Sequence, residues 1–429
     1  MSGGGAWTGV ALAAVTAGYA LASKRLARAS VTAPIVFTAC GVFIGPVGLG
    51  ILDPKRDAGA VLLLVEIALT LVLFTDSYEL RGRDLHLGRL LSARLVTVGL
   101  LLTIGAGWLL AVLLLPGLSG WEPALIAVIL APTDIPVCKA AVANRRVPPV
   151  ARHGLTVETG LNDGVVLPLF LLVLAAISGT ASSEHGLVGV FWRSLLLSSA
   201  VGLAVGAAIG LLLHRAWVAD WVNREWSQAV VLAVALASYT LAAATGGSGF
   251  VAAWVAGFAF AALLRRGTAR EGAGTGGHST DLVGRFTEGL ASLLAAMSFL
   301  VFGAVMLGPA LQHLTWRVAL YAVLCVALVR PVTAAIALVG SGLRLPTVAY
   351  AAWFGPRGLP SLVFGLLCVK EHVPAARTLL EVVALTVALS VLLHGVSAVW
   401  LSDRYGDWFE AARARGLRLR EAGPEADLG

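Results

Sequence analysis

Polar residues in this chain come in short bursts, and between them lie about thirteen apolar stretches of roughly 17–27 residues. Their limits are 5–23, 31–51, 58–78, 94–116, 122–143, 154–178, 187–213, 227–244, 248–264, 284–307, 316–340, 346–369 and 378–402. A bilayer core about 30 Å thick needs about 20 residues at 1.5 Å each, so every stretch predicts a membrane-crossing helix. The short alternating runs of a membrane barrel are missing. Inside lipid a helix satisfies its own backbone groups, which an open strand cannot. The expected fold is therefore all-α and polytopic. Gly45-Pro46 interrupts the second stretch, and Thr245-Gly246-Gly247 divides the eighth from the ninth.

Two stretches carry breakers at their middle. The fifth contains Pro132-Thr133-Asp134-Ile135-Pro136, and the twelfth contains Phe354-Gly355-Pro356-Arg357-Gly358-Leu359-Pro360. Proline removes a backbone donor and clashes with the preceding turn, so both helices should unwind there. Unwound backbone is tolerated at membrane depth only against protein or a wet cavity. The two breaks lie seven stretches apart, and an odd offset means opposite orientation. Interrupted segments at matching positions of two inverted halves point to a transporter's ion site. The expected repeat units are stretches 1–6 and 8–13, with the seventh as connector.

Composition agrees. A soluble domain carries about 25% charged residues; this chain of 429 residues carries 13%, against 58% hydrophobic. Glycine at 49 positions suits close helix packing in lipid. The formal charge of +7 does not indicate nucleic acid, because the basic residues are scattered through short loops. Their placement fixes an orientation instead. With the N-terminus outside, the inner loops and tail hold 22 of the 31 Lys and Arg residues and the outer segments hold 6; Lys139, Arg330 and Arg357 fall inside stretches. This is the positive-inside pattern with the C-terminus in the cytoplasm. Lys24, Arg25 and Arg28 follow the first stretch and no basic residue precedes it, which is the charge order of a retained helix and not of a signal peptide. The Gly-rich connection over 265–285 reads as a flexible cytoplasmic loop, and the tail 403–429 as a short charged segment able to hold a small surface helix. Cys40, Cys138, Cys325 and Cys368 are scattered and read as packed free thiols. No G-x-x-x-x-G-K-[ST] run is present, so no nucleotide cofactor is expected.

The chemistry is concentrated in Thr156-Val157-Glu158-Thr159-Gly160-Leu161-Asn162-Asp163-Gly164 of the sixth stretch. A carboxylate near a bilayer centre costs roughly 2.5–3.5 kcal/mol on insertion scales. Two of them there read as a site for a cation or a proton. On a helix Glu158 and Asn162 share a face, and Thr159 and Asp163 share the next.

Glu158-Thr159-Gly160-Leu161-Asn162-Asp163-Gly164 resembles the Glu-Ser-x-x-Asn-Asp-Gly signature of the monovalent cation:proton antiporters, in their sodium/proton exchanger (NhaP-like) branch. Thr133-Asp134 resembles that family's Thr-Asp in the first broken helix, and Arg330-Pro331 its Arg-Pro in the eleventh span. Gly355-Pro356-Arg357-Gly358 is similar to its Gly-x-Arg-Gly, and Gly247-Ser248-Gly249-Phe250-Val251-Ala252 to its ninth-span opening. Thr159 stands where Ser is usual, Pro136 lies one residue later than in the common Thr-Asp-Pro form, and Lys139 is an unexpected charge.

The resemblance implies an antiporter in the plasma membrane exchanging Na⁺ for H⁺ as a homodimer, with a role in pH homeostasis. Residues 79–178 and 308–402 would form the transport core, and residues 1–78 and 179–307 the scaffold and dimer helices. Asp163 would carry cation and proton in turn, since burial favours a protonated carboxyl and a bound cation favours the ionised one. Na⁺ would sit at Asp163, Thr133 and Thr159, beside Asn162. Asn162 stands where electrogenic branches have a second aspartate, which leaves one titrating carboxyl in the pair and favours electroneutral exchange. Arg330 cannot shed its proton and needs an anion. Glu158 is the family's partner for it, with Asp163 or a solvated wall as the other options. Asp134 either ligates the cation or balances the positive end of a half-helix. Arg357 compensates a negative half-helix end or fixes the break. Lys139 snorkels or adds a compensating charge. Glu66 and His394 read as packing groups and Asp76 as interfacial. The same fold could move K⁺, Li⁺ or several monovalent cations, whose oxygen ligands are alike. An intramembrane carboxylate enzyme is the rival of another class, but Glu158 and Asp163 lie on one helix, turned by about 140° from each other. A channel is a third, without a carbonyl-filter repeat to support it.

Overall fold

A computed structural model describes residues 3–52, 58–80, 88–118, 120–177, 186–270, 276–417 and 419–422. Among these residues all regular structure is helical. Helix occupies each of the apolar stretches. Eight helices are long and apolar enough to cross a membrane by length and composition; Ala33–Ile44, Gly249–Arg265 and Leu359–Lys370 are shorter apolar helices. The second stretch stops at Ile44, where Gly45-Pro46 follows.

Three expectations are corrected. The 265–285 connection is largely helical, because Gly249–Arg270 runs into it from one side and Gly276–Phe302 from the other; residues 271–275 lie outside the described residues. The last helix does not end near 402 but runs unbroken from Ala376 to Ala414. The charged start of the tail is therefore a continuation of that helix. The sixth stretch begins earlier, as the helix Pro149–Ile177, with proline at its first position where a missing N–H costs nothing.

The chain divides into two compact units. The first comprises Met1–Leu62, Gly82–Asn162 and Ala296–Gly429. At its centre, helix Arg89–Leu114 packs on helix Trp316–Ala337. Each contains one wide π-turn, Leu95–Gly99 and Cys325–Val329. Four residues past each π-turn stands a threonine. Thr103 donates to the Gly99 carbonyl at 2.7 Å and Thr333 to that of Val329 at 2.8 Å, and the two hydroxyls meet at 2.7 Å. The same local device thus occurs in both helices and meets across their crossing. A wide turn loosens the i to i−4 ladder, and the hydroxyl supplies the donor it lacks.

The fifth stretch is helical over Glu122–Ile129, irregular through Asp134, then a 3₁₀ turn Ile135–Cys138 and a short helix Lys139–Ala143. The twelfth is helical over Leu345–Trp353 and Leu359–Lys370, with Phe354–Gly358 irregular between them.

The second unit comprises Leu63–Arg81 and Asp163–Ala295. Helices Gly186–Val218 and Gly249–Arg270 lie closely along each other. The stripe Gly202, Gly206 and Gly210 makes that approach possible: a Cβ at Gly206 would run into the Ala256 backbone. Small residues spaced by four are what lipid-embedded helices use to bring backbones together. Glu66 is hydrogen-bonded to Tyr239.

Candidate ion site

Breaking a helix inside the membrane leaves orphan carbonyls on one half and orphan N–H groups on the other. The first unit gives several of these a named partner. The Asp134 N–H donates to the Pro356 carbonyl at 2.8 Å, and the Leu359 N–H donates to Asp134 Oδ2 at 2.7 Å. The two breaks therefore cross, and the Asp134 carboxylate caps the first turn of Leu359–Lys370. Gly358 permits this, because a Cβ there would overlap the carboxylate. In return the Ser361 hydroxyl donates to the carbonyl of Ile129, the last residue of the first half-helix, at 2.7 Å.

The carbonyl that ends Leu345–Trp353 is also held. Trp353 O accepts from His394 Nε2 at 2.9 Å and from the Gly355 N–H at 2.8 Å. Ser390, one turn before His394, accepts the Arg357 N–H at 2.8 Å, while Arg357 Nη1 donates to the Gly355 carbonyl at 3.0 Å. Arg357 thus fastens the break from within, and the half-helix end itself falls to His394. Sequence reasoning left Ser361 and Ser390 out and gave His394 no partner. The signal was present for two of them, since Ser390, His394 and Ser397 recur at helical spacing in an apolar run.

Glu158 Oε1 meets Arg330 Nη2 at 2.5 Å, with side chains 1% and 4% exposed. The Arg330 guanidinium thus lies against Glu158. One turn further along the same helix a second cluster forms. Thr133 Oγ1 lies 3.2 Å from Thr159 Oγ1, and Asn162 Nδ2 points to Thr133 Oγ1 at 3.4 Å. The amide oxygen of Asn162 is buried without a hydrogen-bond partner among the described residues. Asp163 follows on the helix and is equally buried. The structure therefore brings Thr133, Thr159 and Asn162 together, and directs Asp134 to Leu359. Lys139 is exposed and Asp76 is half-buried. The four cysteines are free.

The family described as "Sodium/hydrogen exchanger, transmembrane" matches residues 11–404. This chain belongs to the sodium/hydrogen exchanger family. An uncharacterized Na⁺/H⁺ exchanger of Mycobacterium tuberculosis is 31% identical over 168 residues, 38% of this chain and 29% of that protein. A Na⁺/H⁺ antiporter of Saccharomyces cerevisiae is 32% identical over 142 residues, 31% of this chain and 14% of that protein. These matches thus span less than a third of either relative's length. Among solved structures, the sodium proton antiporter MjNhaP1 from Methanocaldococcus jannaschii at pH 8 is similar with a TM-score of 0.75 and 20% identity, over 94% of this chain and 98% of that one. At that identity the likeness concerns the fold. Members of the exchanger family are transporters, so the paired carboxylates of Glu158 and Asp163 need no enzymatic reading.

Proposed function

We propose that this exchanger moves Na⁺ against H⁺ one for one, with Asp163 holding the two ions in turn. One observation carries the reading: Asn162, next to Asp163 in the helix Pro149–Ile177, holds a buried amide oxygen without a hydrogen-bond partner among the described residues, close to the Thr133 and Thr159 hydroxyls. Burial favours a protonated carboxyl and a bound cation favours the ionised one, so one carboxyl holds either ion and not both well. Competition for a single carboxyl couples opposing fluxes and leaves the carrier's net charge the same in both loaded states. Glu158 and Asp134 are engaged by Arg330 and Leu359. Asp163 is the carrier by its place in the Asn162-Asp163 signature, and the Thr133 and Thr159 hydroxyls and the Asn162 amide oxygen are the neutral oxygens offered beside Asn162 to a small monovalent cation.

The transport core is residues 79–178 and 308–402, and residues 1–78 and 179–307 serve as scaffold and homodimer surface. Support for an inverted repeat comes from the paired π-turns with Thr103 and Thr333 and from the crossed breaks. The N-terminus lies outside a plasma membrane by the placement of Lys and Arg, and the alternation of sides is supported by inter-loop contacts that join segments of one assigned side. Arg146 pairs with Asp407 and Glu410, Arg94 donates to Val339 O, and Arg265 donates to Leu80 O, all on the inner side. Thr8 donates to Ile51 O and the Ala375 N–H to Glu122 on the outer.

The test is reconstitution in liposomes with an internal pH dye and an imposed proton gradient. Added Na⁺ should dissipate the gradient, with Li⁺ and K⁺ tried in parallel to read selectivity. Dissipation without any added cation would contradict the proposal, and dissipation by K⁺ alone would replace the substrate.

A further inference from the structure

The last membrane helix continues past its apolar stretch to Ala414, and the chain then turns back. Its 3₁₀ turn Arg420–Ala422 lies against the start of the broken twelfth stretch. Glu421 there is fully buried. Its Oε1 accepts from the Arg344 N–H at 2.6 Å and from the Thr347 hydroxyl at 3.0 Å. Thr347 in turn accepts from the Tyr405 hydroxyl at 2.9 Å. Arg420 Nη1 donates to the Ser341 carbonyl at 3.2 Å.

These bonds fall on the N-terminus of half-helix Leu345–Trp353, which lacks a cap of its own. Arg344 stands at the N-cap and makes no side-chain cap bond. Arginine has no acceptor to offer, and an uncapped first turn leaves N–H groups to be satisfied elsewhere. A buried carboxylate at the positive end of a helix dipole meets both needs. The two ends of this half-helix are thus held from the same helix, by His394 at Trp353 and by the extension of that helix at Arg344.

We propose that Glu421 is a positioning residue for transport: the segment after the last helix clasps the N-terminal end of Leu345–Trp353 and so holds the break at its other end in register. The clasp rests on the antiport reading for its consequence, but not for its existence. It explains why a carboxylate sits buried in a charged tail where a solvated one would be expected, and it makes residues 403–422 part of the core.

The full-length protein in lipid nanodiscs, with Glu421→Ala and Glu421→Gln, tests this by hydrogen exchange and by cation-driven proton flux. Gln keeps the acceptor oxygen and Ala removes it. Exchange over 344–350 should rise about tenfold in Glu421→Ala, as loss of a cap implies, and stay near wild type in Glu421→Gln. Flux should fall in the first and recover in the second. Unchanged exchange over 344–350 in Glu421→Ala would overturn the cap, as would a rise spread evenly over all helices. Local exchange with normal flux would overturn the positioning role. Absence of flux in the wild-type protein would count against antiport alone, and the exchange data would still decide the cap.

Discussion

Replacing Glu158 by Gln leaves Arg330 as a buried cation with its anion removed. Arg330 and Glu158 are almost wholly shielded, and they touch at 2.5 Å. Arg330 Nε has no hydrogen-bond partner among the described residues, so the guanidinium has little else to fall back on. Removing one member of such a pair costs about 3–5 kcal/mol, because the other charge stays buried. Neutralising both, as Glu158→Gln with Arg330→Gln, removes that uncompensated charge, and the double variant should be more stable than Glu158→Gln alone. A coupling of about 2 kcal/mol is expected for groups in direct contact. The assay is the half-life of the folded protein at fixed temperature in one detergent, since membrane proteins of this size unfold irreversibly. Strictly additive losses, or a single variant as durable as wild type, would refute the reasoning.

The remaining predictions concern the breaks, the site and the exposed end of the last helix. Asp134→Ala should lose about 1 kcal/mol more stability than Asp134→Asn, because Asn can still accept from Leu359; equal losses by thermal inactivation would remove the capping role. Asn162→Asp adds a second titrating group, so its flux should become sensitive to membrane potential, read with a potential clamped by valinomycin; an unchanged voltage response would discard the one-carboxylate account. On the exposed end of the last helix, Arg146 holds the Glu410 carboxyl below the usual glutamate range through its hydrogen bond and charge. A depressed folded value means this contribution is present above the unfolded glutamate value, about 4.3, and is lost as pH falls through the folded one. Arg146→Gln should therefore flatten the acid limb of the stability profile, and only weakly, as exposed pairs contribute little and salt screens them. An undiminished acid limb would assign it to other groups.

Much of this molecule could be read from the chain because lipid imposes a strict length rule. Apolar stretches and proline placed the helices and the irregular segments, while helix ends shifted by as much as the distance from the expected 402 to Ala414. The Glu158–Arg330 pair was legible for a similar reason: a guanidinium in lipid demands an anion. What stayed hidden depends on how distant segments cross. Asp134 caps Leu359, a residue 225 positions away, and no local pattern says which half-helix lies across which. His394 had a recognisable stripe but no visible partner, since Trp353 O is a backbone atom without a residue signature. The tail misled because charge density reads as solvated surface, while one carboxylate among many, Glu421, is buried by what it caps.

The central claim is one carrier group and one exchanged charge. Its most direct measurement is the simultaneous flux of ²²Na⁺ and H⁺ through reconstituted protein at several clamped potentials. The account predicts a ratio of about one, independent of potential, and loss of both fluxes in Asp163→Asn. Two protons per Na⁺, a ratio that follows the potential, or continued exchange in Asp163→Asn would contradict it.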